Sequence, residues 1–279
     1  MKQTNYERNV IGFLTELRQE EKSEATLDKY ERDIRKFIRF LNGHSVTKER
    51  VIAYKQDLIR DYAPVSVNSM LIPVNRFLRY LDLHDCIVRT LKIQRASFRS
   101  TDREITREEY VRLVKAAEQM GDVRISLILQ TIAATGIRVS ELPFITVEAL
   151  RDGIAHVSLK GKHREVLIPK KLKKKLKDYV SSRKTVSGSV FVTKNGNPIH
   201  RGNILRAMKR LCELAHVEAK KVFPHNFRHL FACQFYKATR DIVRLADILG
   251  HSSINTTRIY TVVSMEEQGK QINRLGLIV

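Results

Sequence analysis

Apolar side chains that recur at helical spacing limit the possible folds of this sequence more than any other feature. They form stripes that return every three or four residues, and several stripes begin beside a residue that commonly caps a helix or just after a proline. A stripe of this kind is buried by packing against another element, and here the neighbouring elements are also helical. The sequence therefore predicts a small helical domain over residues 1–88, with four helices near residues 5–20, 23–41, 47–62 and 64–81.

The next segment, residues 89–104, has weak periodicity and carries several basic side chains, among them Lys92, Arg95 and Arg99. A stretch without an apolar face contributes little to a core, which favours an extended connection. We interpret residues 89–104 as a basic linker between two domains, able to lie along a phosphate backbone.

Beyond this linker the pattern is again helical, with one strand-turn-strand signal. Thr106 and Glu109 have the spacing of a capping box, and a strongly apolar run ends at Gly136. Apolar residues on both sides of the turn-like residues 160–163 predict a β-hairpin over residues 154–168, and a short strand is expected at 190–192. Residues 105–264 are thus predicted to form a second, larger domain. The predicted fold class is mainly α with a small β-hairpin, an α+β arrangement.

Charge is the composition feature that bears on function. The 279 residues include 51 Lys and Arg against 30 Asp and Glu, a formal net charge of +21. Nucleic acid is the partner that such an excess favours, because each neutralised phosphate releases condensed counterions. No apolar run long enough to span a membrane and no secretory signal are found, so we expect a cytoplasmic protein, associated with the bacterial nucleoid and not with a membrane.

Cysteine usage gives no indication of a bound group. Cys86, Cys212 and Cys233 are odd in number and form no C-x-x-C pair, a pattern typical of free thiols. Neither a metal ion nor another cofactor is predicted.

Three short segments carry residues suited to phosphate chemistry. Arg138 lies in ATGIRVSEL, just after a glycine. His225 and Arg228 are three residues apart in FPHNFRH, which places them on one face of a helix. In LGHSSINTTRIY, His251 precedes Tyr260 by nine residues. Each segment alone has an ordinary structural explanation, since an arginine usually pairs with a nearby carboxylate and a tyrosine usually packs.

Taken together, the three segments resemble the tyrosine recombinase, or phage integrase, family over nearly the whole chain. The resemblance implies a SAM-like helical domain that binds core DNA, followed by a catalytic domain, the two closing on DNA as a C-shaped clamp. The compact length is similar to that of the Xer-like members. The residues that match the family's catalytic set, in its order, are Arg138, Lys160, His225, Arg228, His251 and Tyr260.

The chemistry that the resemblance implies suits these residue types. A phosphodiester is a poor electrophile, and its transition state gathers negative charge that preorganised cations stabilise. Arg138 and Arg228 would hold two non-bridging oxygens, since a guanidinium fork matches that geometry. Lys160 would protonate the leaving 5′ oxygen while Tyr260 attacks phosphorus and forms a 3′-phosphotyrosine, without metal or ATP. His225 would assist the tyrosine proton or bond the phosphate.

Neighbouring residues receive secondary roles. His251 would donate to a non-bridging oxygen, and Glu141 would orient Arg138. Lys162 competes with Lys160 for the hairpin role, and we favour Lys160 because the family's lysine directly precedes a glycine. Leu230 stands where relatives commonly carry a hydroxyl. Contacts to DNA phosphates are expected from Lys162, Lys170, Lys171, Lys173, Lys174, Lys175, Arg95 and Arg99.

The resemblance also implies partners. They are double-stranded DNA with a specific core site and a tetramer on two such sites, built from this chain alone or with a related recombinase. An apolar tail at residues 265–279 is expected to dock on a neighbouring protomer. Two alternatives stay open at this point: a type IB topoisomerase and a catalytically silent DNA-binding regulator.

Overall fold

The computed structural model describes residues 2–93, 103–159, 161–260 and 273–274. Arg95, Arg99, Lys160 and the side chain of Lys162 lie outside these ranges, as do most of the predicted linker and of the predicted tail. The chain divides into two compact units, Met1–Arg95 and Ala96–Val279. The prediction of a mainly α fold with a small β-hairpin is confirmed.

The first unit contains the four predicted helices, followed by one turn of 3₁₀-helix at His84–Cys86. Thr47 caps the third helix, since its hydroxyl accepts a hydrogen bond from the backbone N–H of Arg50. A proline occupies the first turn of the fourth helix, where its missing N–H has no intrahelical acceptor to lose. The helices are α1 (Lys2–Gln19), α2 (Glu24–Leu41), α3 (Lys48–Asp61) and α4 (Pro64–Tyr80).

Two apolar clusters hold this unit together. In the first, Phe13 and Phe77 meet edge to face with ring centroids 5.5 Å apart, and Ile34 packs beside them. In the second, Phe37 and Tyr54 meet with ring centroids 5.1 Å apart. All five side chains are at most 1% exposed, so the predicted helical stripes form the core of this unit.

The second unit is also mostly helical. Thr106 and Glu109 form the predicted capping box at the start of its first helix. The predicted strand at 190–192 is wrong: only the isolated bridges Thr146–Ser189 and Val192–Pro198 occur there, too few for a ladder. Its elements are α5 (Arg107–Gln119), α6 (Val123–Thr135), the 3₁₀-helix Val139–Phe144, α7 (Val147–Asp152), β1 (Ile154–Leu159), β2 (Lys162–Leu167), α8 (Lys170–Ser182), α9 (Arg201–Arg210), the 3₁₀-helix Ala219–Lys221, α10 (Pro224–Thr239), α11 (Ile242–Leu249), α12 (Ile254–Thr257) and the 3₁₀-helix Arg258–Tyr260.

The hairpin is tighter than the sequence pattern predicted. β1 and β2 pair antiparallel from Ile154–Leu167 to Leu159–Lys162, so β2 begins at the lysine that was expected in the turn. Gly161, which precedes β2, has a φ of +70°, a conformation that glycine adopts without steric cost.

Helix α6 lies at the centre of the second unit. It contacts α5, α8, α9 and α10, which explains why most of its side chains are apolar and why most are buried. The chain leaves this central helix at Gly136, two residues before the partly exposed Arg138. Among the residues that the structure describes, none of the helices has both the length and the apolar character required to cross a membrane.

Candidate active site

Two helices of the second unit end at glycines in the left-handed conformation, and these ends frame the site. α6 ends at Gly136, with a φ of +65°, and α11 ends at Gly250, with a φ of +63°. A Cβ at Gly136 would stand 2.5 Å from the ring of Phe231 in α10. Glycine therefore allows α6 to end against α10, where its last carbonyls face the side chains of that helix.

Arg228 connects both helix ends from α10. Its side chain is almost completely buried, with 2% of the residue exposed. Nη1 donates to the carbonyl of Gly136 at 2.5 Å, and Nη2 donates to the carbonyl of Leu249 at 2.7 Å. Burial, followed by the nearby charges of Arg138 and Arg164, lowers the pKa of Arg228 to about 10, so the guanidinium stays charged at neutral pH.

Arg138 is the more accessible guanidinium, with 39% of its side chain exposed. Its Nη1 donates to Glu141 Oε1 at 2.7 Å, its backbone N–H donates to Glu141 Oε2 at 2.9 Å, and its Nη2 donates to the carbonyl of Gly250 at 3.2 Å. Glu141 thus contacts Arg138 as an orienting residue would. Burial raises the pKa of the Glu141 carboxyl, but hydrogen bonds from Arg164 and Arg138 outweigh it and hold this pKa below its usual range.

Arg164, in β2, is a site residue that the sequence reasoning missed. Its Nη2 donates to Glu141 Oε2 at 2.6 Å and its Nη1 donates to the carbonyl of Ile248. Its Nε is buried and has no hydrogen-bond partner within the described ranges. The available signal was strand alternation, which places Arg164 on the same face as the buried Val166, and a charge on a buried face needs a partner.

The C-terminal end of α11 therefore receives three guanidinium groups. The carbonyls at a helix C-terminus lack intrahelical donors and carry the negative end of the helix dipole. Here three consecutive carbonyls, those of Ile248, Leu249 and Gly250, each accept a hydrogen bond from a different arginine. The three arginines come from different parts of the chain. The partners, in the same order, are Arg164, Arg228 and Arg138.

His251 follows this helix end directly. Its Nε2 lies 3.1 Å from Nη2 of Arg228, and its Nδ1 lies 2.8 Å from the hydroxyl of Thr257. Arginine only donates, so Nε2 accepts and the ring is neutral, with its proton on Nδ1. Burial, followed by the charges of Arg228 and Arg138, lowers the pKa of His251 to about 4.

Tyr260 packs beside these residues and is only 4% exposed. Its ring is stacked with the His251 ring at a centroid distance of 6.4 Å, and the His229 ring lies 5.1 Å away. Apolar residues of α10 and α11, including Ala232 and Leu245, complete its surroundings. The structure thus brings the last motif of the sequence against the arginines at the end of α11.

The remaining predicted residues have separate positions. His225 lies in the first turn of α10, where part of the residue is exposed to solvent. Desolvation of the remainder, followed by the charges of Arg228 and Arg138, lowers its pKa. Lys160 and the side chain of Lys162 lie outside the described residues, so neither ammonium group is placed. On α8, Lys170, Lys171 and Lys174 are exposed, whereas Lys173 donates to the carbonyl of Arg151 at 2.7 Å and Lys175 donates to Gln130 Oε1 at 2.9 Å.

An open cavity of about 670 Å³ adjoins the arginines, with Arg138, Glu141, His163, Arg164 and His251 among its lining residues. Its cationic wall is suited to an anion such as a phosphate group. In the part of the chain that the structure describes, no three His, Cys, Asp or Glu side chains converge as a metal site requires.

The histidines predict an acid-sensitive fold. His225 and His251 have lowered pKa values in the folded protein, so the unfolded chain binds protons that the folded chain does not, and stability falls as the pH drops below about 6.5. Protonation of the Glu141 carboxyl, whose unperturbed pKa is 4.5, reduces stability further only at lower pH. We expect the Tm of the wild type to decrease between about pH 6.5 and pH 4.5, and His251→Gln to reduce this slope. Equal slopes for the two proteins would contradict the assignment.

Comparison with known proteins follows the division into two units. Residues 103–267 match the phage integrase family, and residues 10–84 match the phage integrase N-terminal SAM-like domain. The tyrosine recombinase XerA of Pyrococcus furiosus is 27% identical over 276 residues, covering 95% of this chain and 93% of that protein. The XerA of Thermococcus kodakarensis is 30% identical over 276 residues, covering 95% and 94%.

Among solved structures, a lambda integrase tetramer bound to a Holliday junction is similar in fold. Its chain aligns with a TM-score of 0.72 and 18% sequence identity, covering 91% of this chain and 76% of that one.

Proposed function

This chain belongs to the phage integrase family of tyrosine recombinases, and from that premise we propose that it cuts and rejoins DNA at specific sites through a covalent bond to Tyr260. One observation carries the assignment of the site: Arg138, Arg228 and His251 meet at the end of α11, and the Tyr260 ring stacks on His251. A regulator that only binds DNA has no need of this combination.

The two arginines have different exposures and therefore different proposed roles. Arg138 opens to the cavity and would form the bidentate contact to the non-bridging oxygens of the scissile phosphate. Arg228 is fixed from behind by the carbonyls of Gly136 and Leu249, so its charge is already in place when DNA arrives. Such preorganised charge stabilises the transition state without reorganisation during the reaction.

The covalent step conserves atoms and charge. The Tyr260 oxygen attacks phosphorus and its proton passes to a base, for which we propose His225, neutral at physiological pH because its pKa is lowered. The bond from phosphorus to the 5′ oxygen breaks, and Lys160 donates a proton to that leaving oxygen, which becomes the 5′ hydroxyl. Attack by a 5′ hydroxyl of the second strand reverses these steps, so the energy of the phosphodiester is retained in the tyrosyl ester.

His251 would act as a neutral group. In the DNA-free chain its Nε2 lies beside Arg228 and its Nδ1 lies beside the Thr257 hydroxyl. The ring therefore lies between the buried arginine and Thr257. We propose that the ring takes the Nε2–H tautomer when phosphate enters, so that Nε2–H donates to a non-bridging oxygen while the Thr257 hydroxyl donates to Nδ1 and fixes the ring orientation.

The proposed partners are double-stranded DNA containing a specific core site and a tetramer of this chain, alone or with a related recombinase, on two such sites. The net charge of +21 supports a DNA partner. The similar lambda integrase forms a tetramer on a Holliday junction, which supports the same assembly here. We propose that residues 265–279 dock on the neighbouring protomer in that assembly.

Selection of DNA from a random duplex pool tests the proposed function. Duplexes retained by the purified protein are cloned in pairs on a supercoiled plasmid and incubated with the chain. We expect inversion or deletion between paired sites and none with a single site. Relaxation without any specific site would indicate a topoisomerase, and retarded DNA without a covalent product would indicate a regulator; either result would overturn the proposal.

A further inference from the structure

Arg164 lies within the cluster; it is less exposed than Arg138, and unlike Arg228 it contacts the Glu141 carboxylate. Only 11% of its side chain is exposed, compared with 39% for Arg138. Both of its terminal nitrogens donate to protein groups, one to Glu141 Oε2 and one to the carbonyl of Ile248. The contact to Glu141 distinguishes Arg164 from Arg228, whose two terminal nitrogens donate to backbone carbonyls.

The carboxylate of Glu141 is shared between two guanidinium groups. Oε1 accepts from Arg138 Nη1 at 2.7 Å, and Oε2 accepts from Arg164 Nη2 at 2.6 Å. Glu141 is 3% exposed, so its orientation depends on these two partners and on the Arg138 backbone N–H. Any change in the position of Arg164 is thus transmitted through one side chain to Arg138.

Arg164 is itself held from two further sides. Its Nη1 contacts the end of α11, the same helix end that accepts from Arg138 and Arg228. Gly250 lies directly against its aliphatic stem, because a Cβ at that position would stand 2.5 Å from Arg164 Cδ. The side chain therefore joins β2 to the segment that begins at Arg138 and to the end of α11.

We propose that Arg164 is a positioning residue for strand cleavage, which fixes Glu141 and through it the phosphate-facing orientation of Arg138, without touching DNA itself. This inference rests on the proposed function. Because β2 belongs to the hairpin, and Lys160 precedes Arg164 by four residues, the same contact anchors the strand that follows the proposed general acid.

Variants at position 164 test the role by single-turnover formation of the covalent adduct on nicked DNA selected for binding. Arg164→Met keeps the stem and removes the guanidinium. We expect a rate of adduct formation roughly 10–100-fold below wild type, because loss of about 1 Å of positioning has effects of this size, and a DNA Kd within about threefold of wild type. Arg164→Lys keeps the charge but cannot reach both acceptors, and we expect an intermediate rate.

A pH profile separates positioning from simple loss of stability. The charged groups that face Glu141 are Arg138, at the start of the 3₁₀-helix Val139–Phe144, Arg164, from β2, and Arg228, from α10, which acts on it through its charge. In Arg164→Met, the carboxyl keeps its burial and loses one cation, so its pKa rises. We expect the adduct rate of this variant to fall more steeply toward acid pH than that of the wild type, because protonation of Glu141 adds to the protonation of His225.

Arg124→Met is the matched control, since Arg124 is also partly buried and donates to the carbonyl of Val192 at 2.9 Å. It should leave the adduct rate within about twofold of wild type. Circular dichroism shows whether each variant folds, and Arg164→Lys carries the test if Arg164→Met does not fold.

The outcomes are distinct. A wild-type rate and pH profile in the position-164 variants would overturn the positioning role. A rise in Kd as large as the loss of rate would also overturn it, since it would identify Arg164 as a direct DNA contact. Failure of the wild type itself to form an adduct on tightly bound selected DNA would overturn the proposed function, and this inference with it.

Discussion

Tyr260→Phe abolishes formation of the covalent DNA adduct and leaves DNA affinity within about twofold of wild type, because affinity comes from the basic surface and not from the nucleophile. The substitution removes one oxygen and keeps the ring that packs against His251 and His229. The fold should therefore be retained. The measurement is a denaturing gel of wild type and variant after incubation with nicked selected DNA, together with a binding titration.

Tyr236→Phe provides the matched control. Tyr236 lies in α10 and packs on the same apolar cluster as Tyr260, so a nonspecific effect of losing a hydroxyl there would appear in both variants. We expect adduct formation at the wild-type rate in Tyr236→Phe. An adduct in Tyr260→Phe would show that another residue is the nucleophile.

Arg228→Lys lowers the adduct rate by roughly 10²–10³-fold, the usual loss when one preorganised donor to a transition state is removed. A lysine ammonium is one point charge and cannot reproduce a fork that reaches Gly136, Leu249 and His251 together. Buried acceptors left without donors each cost about 1–3 kcal/mol, so the Tm should also fall by about 5–10 °C.

Arg138→Lys separates the loss of rate from the loss of stability expected for Arg228→Lys. Its side chain is 39% exposed, so we expect a comparable loss of rate with a Tm within about 2 °C of wild type. Quenched single-turnover assays give the adduct rates of both variants, and thermal melts give their Tm values. A wild-type rate in Arg228→Lys would contradict the role of the buried guanidinium.

Local patterns were sufficient to predict the helices of the first unit. Phe37 and Phe77 belong to helical stripes that the sequence displays directly, and burial of such stripes is the main source of helix stability. The breaks at Gly136 and Gly250 were equally visible, since a left-handed helix end favours glycine. The motif residues Arg138, Arg228 and Tyr260 were singled out by the resemblance to a known family, and the fold brings them to one place.

Contacts between distant segments could not be predicted in this way. Arg164 reaches Glu141 across 23 residues and Ile248 across 84 residues, and no local pattern encodes either pairing. The short stretch at 190–192 had strand-like composition but lacks a neighbouring strand to pair with, and composition cannot show whether a partner exists. The pairing of the three arginines with consecutive carbonyls at the end of α11 also joins distant segments, so it could not be predicted from local sequence.

The arrangement explains how several like charges coexist in a small volume. Arg138 and Arg164 share the Glu141 carboxylate, whereas Arg228 donates to the carbonyls of Gly136 and Leu249. The carbonyls at a helix C-terminus attract cations but carry no formal charge, so they hold the arginines without neutralising them. We therefore expect cleavage of DNA by this chain to depend on the position at which α11 ends.

Mapping the covalent bond tests the central claim most directly. The wild-type chain is incubated with nicked selected DNA, denatured and digested with protease and nuclease, and the peptide that retains nucleotide is sequenced by mass spectrometry. The account predicts a single modified peptide, with Tyr260 carrying the 3′ phosphate of the cleaved strand. Modification of any other residue, or complete release of the DNA on denaturation despite tight binding, would contradict it.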